Sequence, residues 1–474
     1  MTRTSADLVV VGSGPGGAMT AALAAEAGRD VLLVEEGSNY RLDSAPSFSL
    51  AEMDQKYRNG GLNVTFGQTN ITYLEGRCVG GGSEINAGLY HRPLATTLEQ
   101  WRELTRIADF APAQLWPHFE AVERECGVAS FPGGNGPASA LLRMGAGKFG
   151  WSTREIARFW RYDQGADGTF TGRRQSMSET LVPRALRAGA RLSADTRVLR
   201  LRHRGGRVTG LDVLRGGRRE QIDAKQVVVC AGAVQTPRIL RRSGVTHNVG
   251  DSLRLHPMIR VTATFKDEIN DPAFGVPTEQ VDQFKPELTL GCSYSSIPHL
   301  ALWMGAEQGG KRSRLRDYRR TGIFYVAVVG TGVGSIRDLP VLGEPLVRLP
   351  LTADDLARVG EGLSKLGQLL FAAGAVEVSN PVAGEAAFRD AATLDATARK
   401  LPQGRMAVST IHLFSSCPMG DDDRVTATDS FGRVHGFSNL YINDASLFPR
   451  SPAVNPQGTV LAIARRNARR MLGG

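Results

Sequence analysis

The chain has 474 residues, 42% of them hydrophobic and 22% charged, and its formal net charge is +10. A chain of this length exceeds what one simple core can organise, so we expect two domains or two intertwined lobes with room for a buried ligand. The five cysteines are scattered without CxxC spacing, which disfavours both a zinc motif and a disulfide framework. We therefore predict reduced thiols and no metal site.

Two features of the sequence indicate where the protein is found and what it binds: it lacks long apolar runs, and its charged residues are spread along the chain. No uninterrupted run of about 20 apolar residues occurs, and the N-terminus enters a strand pattern without a basic segment and cleavage site. The positive charge is distributed along the chain, with only modest clusters at 311–320 and 465–470. We therefore predict a soluble, cytoplasmic protein with no membrane span and no nucleic-acid partner. Steering of an anionic substrate is the alternative use of this charge.

The pattern of residues 6–37 predicts a strand, a glycine turn, a helix and a second strand. The apolar run LVVV is typical of a strand buried on both faces. The turn after it carries Gly12, Gly14 and Gly17 in GxGxxG spacing, which permits a tight turn, close approach of a pyrophosphate and close helix packing. Glu35 ends the second strand, where a carboxylate can accept hydrogen bonds from a ribose. This unit predicts a dinucleotide site, and its residues do not distinguish FAD from NAD.

Two later segments repeat the strand-to-helix pattern, at residues 224–244 and 440–472. We expect them to join the N-terminal unit in one α/β domain. Between them, residues 259–350 contain strand-like alternation separated by Gly and Pro, which predicts an antiparallel sheet in a second lobe. The strands expected there are IRVTATF, PELTLGCSY, HLALWMG and GIFYVAVVG. Residues 351–375 have helical spacing, with Thr352 as the expected N-cap.

Four segments carry a resemblance to a known family. Residues 81–92, GGSEINAGLYHR, resemble the pattern GGxSxxNgxxyxR, and residues 412–420, HLFSSCPMG, resemble HxxGTCxMG. Residues 227–244 and 433–466 resemble two further strand and helix segments of the same family. The chain therefore resembles the GMC (glucose-methanol-choline) flavoprotein oxidoreductases at both ends and in the middle. One departure is the Ser-Ser pair at 415–416 in place of the family's Gly-Thr, which changes the backbone freedom of that loop.

The resemblance implies FAD as the cofactor. Its pyrophosphate would lie on the first glycine turn, its ribose on Glu35, and its adenine near the backbone of Val198. The predicted cofactor-binding residues are Gly12, Ser13, Gly14, Pro15, Gly16, Gly17, Glu35, Glu36, Gly81, Gly82, Ser83, Asn86, Ala87, Gly88, Val198, Ala231, Asp444, Ala445, Asn455, Pro456 and Gln457. Some members attach FAD through a histidine directly before the motif asparagine, here Asn86. Ile85 occupies that position, which implies non-covalent FAD.

The fold that the resemblance implies is α/β plus α+β. A Rossmann-like FAD-binding domain, of the type shared by GMC enzymes and p-hydroxybenzoate hydroxylase, would carry a second, substrate-binding lobe built on an antiparallel sheet. The FAD-binding domain would be assembled from residues 1–130, 185–258 and 408–474, the last with the catalytic pair. The substrate domain would take residues 131–184 and 259–407.

The resemblance also implies a catalytic pair. His412 occupies the family's catalytic histidine position, and Asn455 occupies that of its partner. Oxidising an alcohol requires a proton to leave oxygen while a hydride leaves carbon for flavin N5, and a histidine suits that proton transfer near neutral pH. An asparagine can hydrogen-bond the substrate oxygen but cannot act as a base. Three other histidines are expected to have structural roles: His91, His256 and His435.

The predicted function is FAD-dependent oxidation of a primary or secondary alcohol to an aldehyde or ketone. The expected partners are a small-molecule alcohol and an electron acceptor, which is oxygen, a quinone or a redox carrier. A non-redox lyase that keeps FAD as a structural group and a flavin-binding protein without catalysis are the alternatives. Hydrophobic alcohols, sugars and aminosugars all stay open as substrates, and the residues do not separate an alcohol oxidase from an alcohol dehydrogenase.

Overall fold

The computed structural model describes residues 4–134, 136–270, 275–303, 315–339 and 343–473. The strands in these ranges are β1 (Thr4–Val11), β2 (Val31–Val34), β3 (Asn63–Val64), β4 (Ile71–Tyr73), β5 (Val128–Ala129), β6 (Thr153–Glu155), β7 (Arg158–Gln164), β8 (Phe170–Arg174), β9 (Arg191–Ser193), β10 (Thr196–Arg204), β11 (Arg207–Arg215), β12 (Arg218–Val229), β13 (Arg254–Leu255), β14 (Met258–Thr264), β15 (Glu279–Val281), β16 (Leu288–Ser293), β17 (Thr321–Val328), β18 (Ser335–Arg337), β19 (Leu346–Arg348), β20 (Glu377–Val378), β21 (Val408–Thr410), β22 (Leu413–Phe414) and β23 (Leu440–Ile442). The helices are α1 (Pro15–Glu26), α2 (Leu50–Lys56), α3 (Ala95–Thr105), α4 (Pro112–Glu125), α5 (Pro137–Gly147), α6 (Leu181–Arg187), α7 (Gly232–Arg242), α8 (Ile297–Trp303), α9 (Ala353–Ala372), α10 (Ala391–Ala398) and α11 (Gln457–Met471).

The first sheet brings together strands that are distant in the sequence. Its order is β10-β11-β12-β1-β2-β9, with β23 beside β12. β1 pairs in parallel with β12 and β2, and β23 pairs in parallel with β12, while β10, β11 and β12 form an antiparallel extension. The LVVV run of β1 is fully buried, as expected for a strand covered on both faces. The three strand-to-helix segments therefore build one Rossmann-like domain, as predicted.

The second sheet forms the other lobe. Its order is β3-β4-β21-β14-β17-β16-β15-β6, with β20 beside β14. Its pairings are antiparallel except that β21 and β4 run in parallel. Apolar residues of β14 and β17 share a core with Leu363 and Leu366 of α9, so this helix covers one face of the sheet. Thr352 caps α9 in a capping box with Asp355, which confirms the predicted helix start.

The sequence prediction for HLALWMG was wrong. Residues 297–303 form helix α8 rather than a strand, and residues 304–305 lie outside the described ranges. A run of this length does not distinguish a strand from one helical face by periodicity. Pro298 sits in the first turn of the helix, where its missing N–H costs nothing, and this was the local signal for the helix.

Three short strands of the second sheet come from segments that we assigned to the FAD-binding domain. β3 and β4 fall within residues 1–130, and β21 falls within residues 408–474, yet all three strands belong to the second sheet. Their short lengths gave no sign of their pairing partners. As a consequence, β21 leads from the second sheet directly to His412.

Among the helices of the described ranges, none combines the length and the apolar character that crossing a membrane requires.

Candidate active site

A cavity of about 820 Å³ is lined by residues of both lobes. Most of the residues predicted to bind the cofactor line it: Gly12, Gly14, Pro15, Gly16, Glu35, Glu36, Gly81, Gly82, Asn86, Ala87, Gly88, Val198, Ala231, Asp444, Ala445, Asn455, Pro456 and Gln457. The catalytic candidate His412 lines the same cavity. The fold therefore brings the N-terminal, central and C-terminal motifs to one space.

The first glycine turn needs its glycines for backbone contacts. Gly12 has φ of +96°, a left-handed conformation that side chains disfavour. A Cβ at Gly17 would collide with the carbonyl oxygen of Gly12, so this position requires glycine for helix packing. Gly14 is the N-cap of α1 and provides no side-chain cap, and the helix start at Gly14, Pro15 and Gly16 lines the cavity. Open amides at a helix N-terminus suit a pyrophosphate.

The second glycine stretch packs against the first. Gly81 has φ of +55°, and a Cβ there would lie 2.9 Å from the Cα of Gly14. Glycine is therefore needed for the two loops to meet. Gly82 has no atom within 4 Å of its Cβ position, and it lines the cavity. The absence of a side chain at this position leaves cavity space free for a ligand.

Three residues of the predicted cofactor set support the cavity without lining it. Ser13 Oγ donates to Glu35 Oε2 over 2.7 Å and accepts from the Gly80 amide over 3.0 Å. Ser83 Oγ donates to the Gly80 carbonyl over 2.7 Å. Gly17 packs against the turn, as described above. These residues hold the two glycine loops in place rather than offering groups to a ligand.

The two carboxylates at the end of β2 have different surroundings. Glu35 accepts hydrogen bonds from Ser13 and from the Gly37 amide, yet burial raises its pKa above the usual range. A carboxylate has acceptor positions beyond these three, so Glu35 can still accept from ribose hydroxyls. Burial opposes the charge of Glu36, but Arg58 at 2.7 Å and two further arginines hold its pKa below the usual value. Glu36 is therefore tied into an ion-pair cluster at the cavity wall.

Asp444 fastens elements around the cavity. Its Oδ2 accepts from the Gly232 amide over 2.8 Å and from Thr236 Oγ1 over 2.5 Å. Its Oδ1 accepts from the amide and the hydroxyl of Ser446 over 2.8 and 2.5 Å. Through these four hydrogen bonds, the Asp444 carboxylate connects the start of α7 to the turn after β23. Nearby, Asn86 Nδ2 donates to Gln457 Oε1 over 2.5 Å and joins the second glycine stretch to α11.

The catalytic candidates lie beside each other. Asn455 Nδ2 lies 3.3 Å from His412 Nε2, and both residues line the cavity. His412 follows β21, whereas Asn455 precedes α11, so the pair forms where the two lobes meet. On its other side, His412 Nδ1 lies 3.0 Å from Nδ1 of His256, whose Nε2 lies 2.5 Å from Ser451 Oγ.

These contacts define one arrangement of protons. The amide nitrogen of Asn455 can only donate, so His412 Nε2 accepts and carries no proton. His412 Nδ1 then donates to His256 Nδ1, and His256 Nε2 donates to Ser451. Burial is the main cause that lowers the pKa of His412 well below its usual value, and the neighbouring His256, His91 and Arg260 lower it further because a charged His412 would be unfavourable beside basic groups. Burial lowers the pKa of His256 to about 3. Both rings are neutral at neutral pH, and the lone pair of His412 Nε2 is unprotonated and accepts from Asn455.

Three cavity residues were missed or assigned a structural role from the sequence. His91 and His256 line the cavity, and so does Arg260. His91 Nε2 contacts Gln280 Oε1 over 3.0 Å, and its buried Nδ1 has no hydrogen-bond partner among the described residues. No local signal marks them, because His256 reaches His412 only through the pairing of β13 with β22. His435 Nε2 instead contacts Thr426 Oγ1 over 3.0 Å, away from the cavity.

The fold and the cavity define an FAD-dependent oxidoreductase. The GMC oxidoreductase family is matched by an N-terminal family model over residues 53–258 and by a C-terminal one over residues 337–464. The chain belongs to the GMC oxidoreductase family, and FAD is its cofactor.

Similar proteins cover almost the whole chain. An uncharacterised GMC-type oxidoreductase of Sinorhizobium fredii, y4nJ, is 37% identical over 98% of this chain and 94% of its own. Long-chain-alcohol oxidase FAO4A of Arabidopsis thaliana is 26% identical over 98% of this chain and 68% of its own. The crystal structure of pyridoxine 4-oxidase from Mesorbium loti superposes with a TM-score of 0.77, at 21% identity, over 98% of this chain and 99% of that one. The last likeness concerns the fold.

Proposed function

We propose that this protein oxidises a primary or secondary alcohol to an aldehyde or ketone, with His412 as the base and non-covalent FAD as the oxidant. The observation that carries the proposal is the His412–Asn455 pair, which lines the same cavity as the glycine loops suited to FAD. Relatives named as alcohol oxidases support the reaction class.

Bound FAD supplies the hydride acceptor. The residues of the chain handle the proton and the position of the alcohol. Asn455 offers an amide beside the base, so the substrate oxygen can be held between Asn455 and His412. The substrate hydroxyl replaces the Asn455 amide as the donor to His412 Nε2 and accepts from that amide instead. His412 Nε2 then takes the hydroxyl proton as the hydride leaves the carbon, and the carbonyl double bond forms.

His256 acts as a positioning residue in this proposal. When His412 accepts the proton, its ring becomes positively charged, and Nδ1–H donates more strongly to the neutral Nδ1 of His256. Ser451 holds His256 in the tautomer that can accept this hydrogen bond. The side chain of Ser451 itself accepts from the Ala453 amide over 3.0 Å, so its position is set by the backbone.

Anaerobic mixing of the FAD-loaded protein with a panel of alcohols tests the reaction class. An alcohol oxidoreductase bleaches the flavin absorbance near 450 nm in the absence of oxygen. Later admission of air or of a quinone dye then separates an oxidase from a dehydrogenase. A lyase would leave the flavin oxidised with every alcohol, and that result would refute the proposal.

A further inference from the structure

The two faces of the second sheet differ in character. Along β14 and β17, Ile259, Val261, Phe324 and Val326 enter the core with α9, whereas Arg260 and Tyr325 between them line the cavity. The cavity face carries polar side chains from five strands: Arg260, Gln280, Thr289, Tyr325 and Ser409. We call these five residues the polar wall. A substrate that enters the cavity from the second lobe therefore meets hydrogen-bonding groups among aliphatic side chains such as those of Met258 and Val328.

The charged residues that line the cavity are unevenly distributed along the chain. All acidic lining residues of the described ranges lie outside residues 256–413, in segments that also supply lining arginines: the acidic residues are Glu35, Glu36, Glu75 and Asp444, and the arginines are Arg58, Arg197, Arg238 and Arg242. Among the described lining residues between positions 256 and 413, Arg260 and Lys285 are basic and none is Asp or Glu. Burial lowers the pKa of Arg260 to about 10 and that of Lys285 to about 8, so both side chains can carry a charge at neutral pH. The substrate side of the cavity is therefore cationic.

Arg260 is held close to the catalytic histidine. Its Nη1 donates to Ser409 Oγ, and Nη2 lies 3.9 Å from Met258 Sδ. Ser409 belongs to β21, which leads within three residues to His412, and the charge of Arg260 contributes to the lowered pKa of His412. One compact molecule can therefore reach both Arg260 and His412. Phe48 and Tyr294, whose ring centroids are 4.7 Å apart, add aromatic surface to the same cavity.

We infer that the substrate is a compact alcohol bearing a carboxylate, which the polar wall binds through Arg260 while the hydroxyl group lies at His412. A guanidinium presents paired N–H donors that match a carboxylate better than any neutral group. The inference rests on the proposed function for the reaction itself, and it adds the chemical class of the substrate. The oxidation is unchanged: the alcohol loses a proton to His412 and a hydride to FAD.

Three benzyl alcohols that differ only at the para position, where they carry a carboxylate, a hydrogen or an aminomethyl group, provide the test. The FAD-loaded protein is mixed anaerobically with 4-(hydroxymethyl)benzoate, benzyl alcohol and 4-(hydroxymethyl)benzylamine, and the rate of flavin bleaching is followed at increasing concentration. We expect the carboxylate to be more efficient than benzyl alcohol by about tenfold or more, since a charge-assisted hydrogen bond to a buried arginine is lost in the neutral compound. The ammonium compound should be the poorest. Equal or higher efficiency with benzyl alcohol or the amine would overturn the inference.

Variants assign the preference to Arg260. The measured quantity is the efficiency of flavin bleaching by 4-(hydroxymethyl)benzoate divided by that by benzyl alcohol in the same protein. A general loss of activity affects both efficiencies equally and cancels in this ratio. Arg260→Gln should bring this ratio close to one, and Arg260→Lys should retain part of it. Arg389→Gln removes one charge from an exposed side chain and should leave the ratio as in the parent. A ratio that persists in Arg260→Gln would overturn the assignment.

Equilibrium binding separates this inference from the proposed function. Benzoate and benzamide have nearly the same shape, and binding of either is read from the flavin spectrum without turnover. We expect benzoate to bind more tightly than benzamide by about tenfold in the parent protein. If no alcohol bleaches the flavin but this preference holds, the proposed function fails and the recognition of carboxylates stands. Equal binding of the two compounds would refute the recognition, whatever the alcohols do.

Discussion

His256 Nδ1 lies 3.0 Å from His412 Nδ1, and the two buried rings meet edge to face with centroids 5.1 Å apart. Two neutral imidazoles at this distance share one proton, and the contact of His412 with Asn455 places that proton on His412. His412 is therefore left with an unprotonated Nε2 in the cavity. The orientation of the candidate base therefore depends on His256, which follows β13, whereas His412 precedes the paired strand β22.

Replacement of His256 tests this relationship. His256→Ala leaves Nδ1–H of His412 without its acceptor, and we expect flavin reduction by an alcohol to slow by about tenfold to 100-fold, less than for loss of the base itself. His256→Asn restores an acceptor and should recover part of the rate. The measurement is the anaerobic bleaching rate at saturating alcohol, with His435→Ala as a histidine control away from the cavity. An Ala variant as fast as the parent would contradict a positioning role.

The lowered pKa of His412 predicts the pH dependence of flavin reduction. The neutral form is the competent base, and it is present above the pKa. A histidine with an ordinary pKa would lose half of its activity near pH 6.5, whereas burial of His412 should move the acid limb to lower pH. Asn455→Asp places a carboxylate beside His412 Nε2, which favours the charged imidazole and should move the limb to higher pH.

Rates of anaerobic flavin reduction from pH 5 to 9 check this prediction. Asn455→Ala serves as the control, because it removes the same amide without adding charge. An acid limb at the same pH in the Asp and Ala variants would show that position 455 does not act electrostatically on His412.

The loop after His412 contains a strained serine. Ser415 has φ of +67°, a conformation that favours glycine, and its buried hydroxyl has no hydrogen-bond partner in the part of the chain that the structure describes. Ser415→Gly should stabilise the protein by about 0.5 to 1 kcal/mol, because the relief of left-handed strain exceeds the added entropy of the unfolded chain. Ser416→Gly is the matched control and should destabilise, since Ser416 Oγ donates to the Ala233 carbonyl over 2.6 Å. Thermal unfolding midpoints measure both, and a lower midpoint for Ser415→Gly would refute the strain argument.

The residue before Asn86 predicts how FAD is held. Ile85 is a buried hydrocarbon side chain that lines the cavity, and it has no nucleophilic atom to attach a flavin. Precipitation of the yellow protein with acid should therefore release all of the FAD into the supernatant. Absorbance at 450 nm in the supernatant and in the redissolved pellet checks this. A yellow pellet would place a covalent link elsewhere in the cavity.

Local patterns were enough for the cofactor half of the fold. The LVVV run, the glycine turn and Glu35 form a contiguous unit, and each part carries its own signal of turn, burial or charge. The glycine stretch at residues 80–82 was also informative, because consecutive glycines indicate that the backbone approaches another group closely. What it approaches, the Cα of Gly14, depends on the folded arrangement of two distant loops.

The substrate half was less predictable because its contacts are long-range. Arg260 lies in the IRVTATF strand, where alternation marks it as polar but does not say whether that face meets solvent or a cavity. His256 joins His412 through a strand pair whose members are two residues long, too short for a periodic signal. The helix at residues 297–303 was mistaken for a strand for a similar reason.

The most direct test of the central claim compares flavin reduction in the parent protein and in His412→Ala. Both are loaded with FAD and mixed anaerobically with an alcohol that bleaches the parent. The account predicts bleaching by the parent and a rate about 100-fold to 10,000-fold lower in His412→Ala, because the variant lacks the group that takes the hydroxyl proton. Reduction of both proteins at the same rate, or no reduction of the parent by any alcohol, would contradict it.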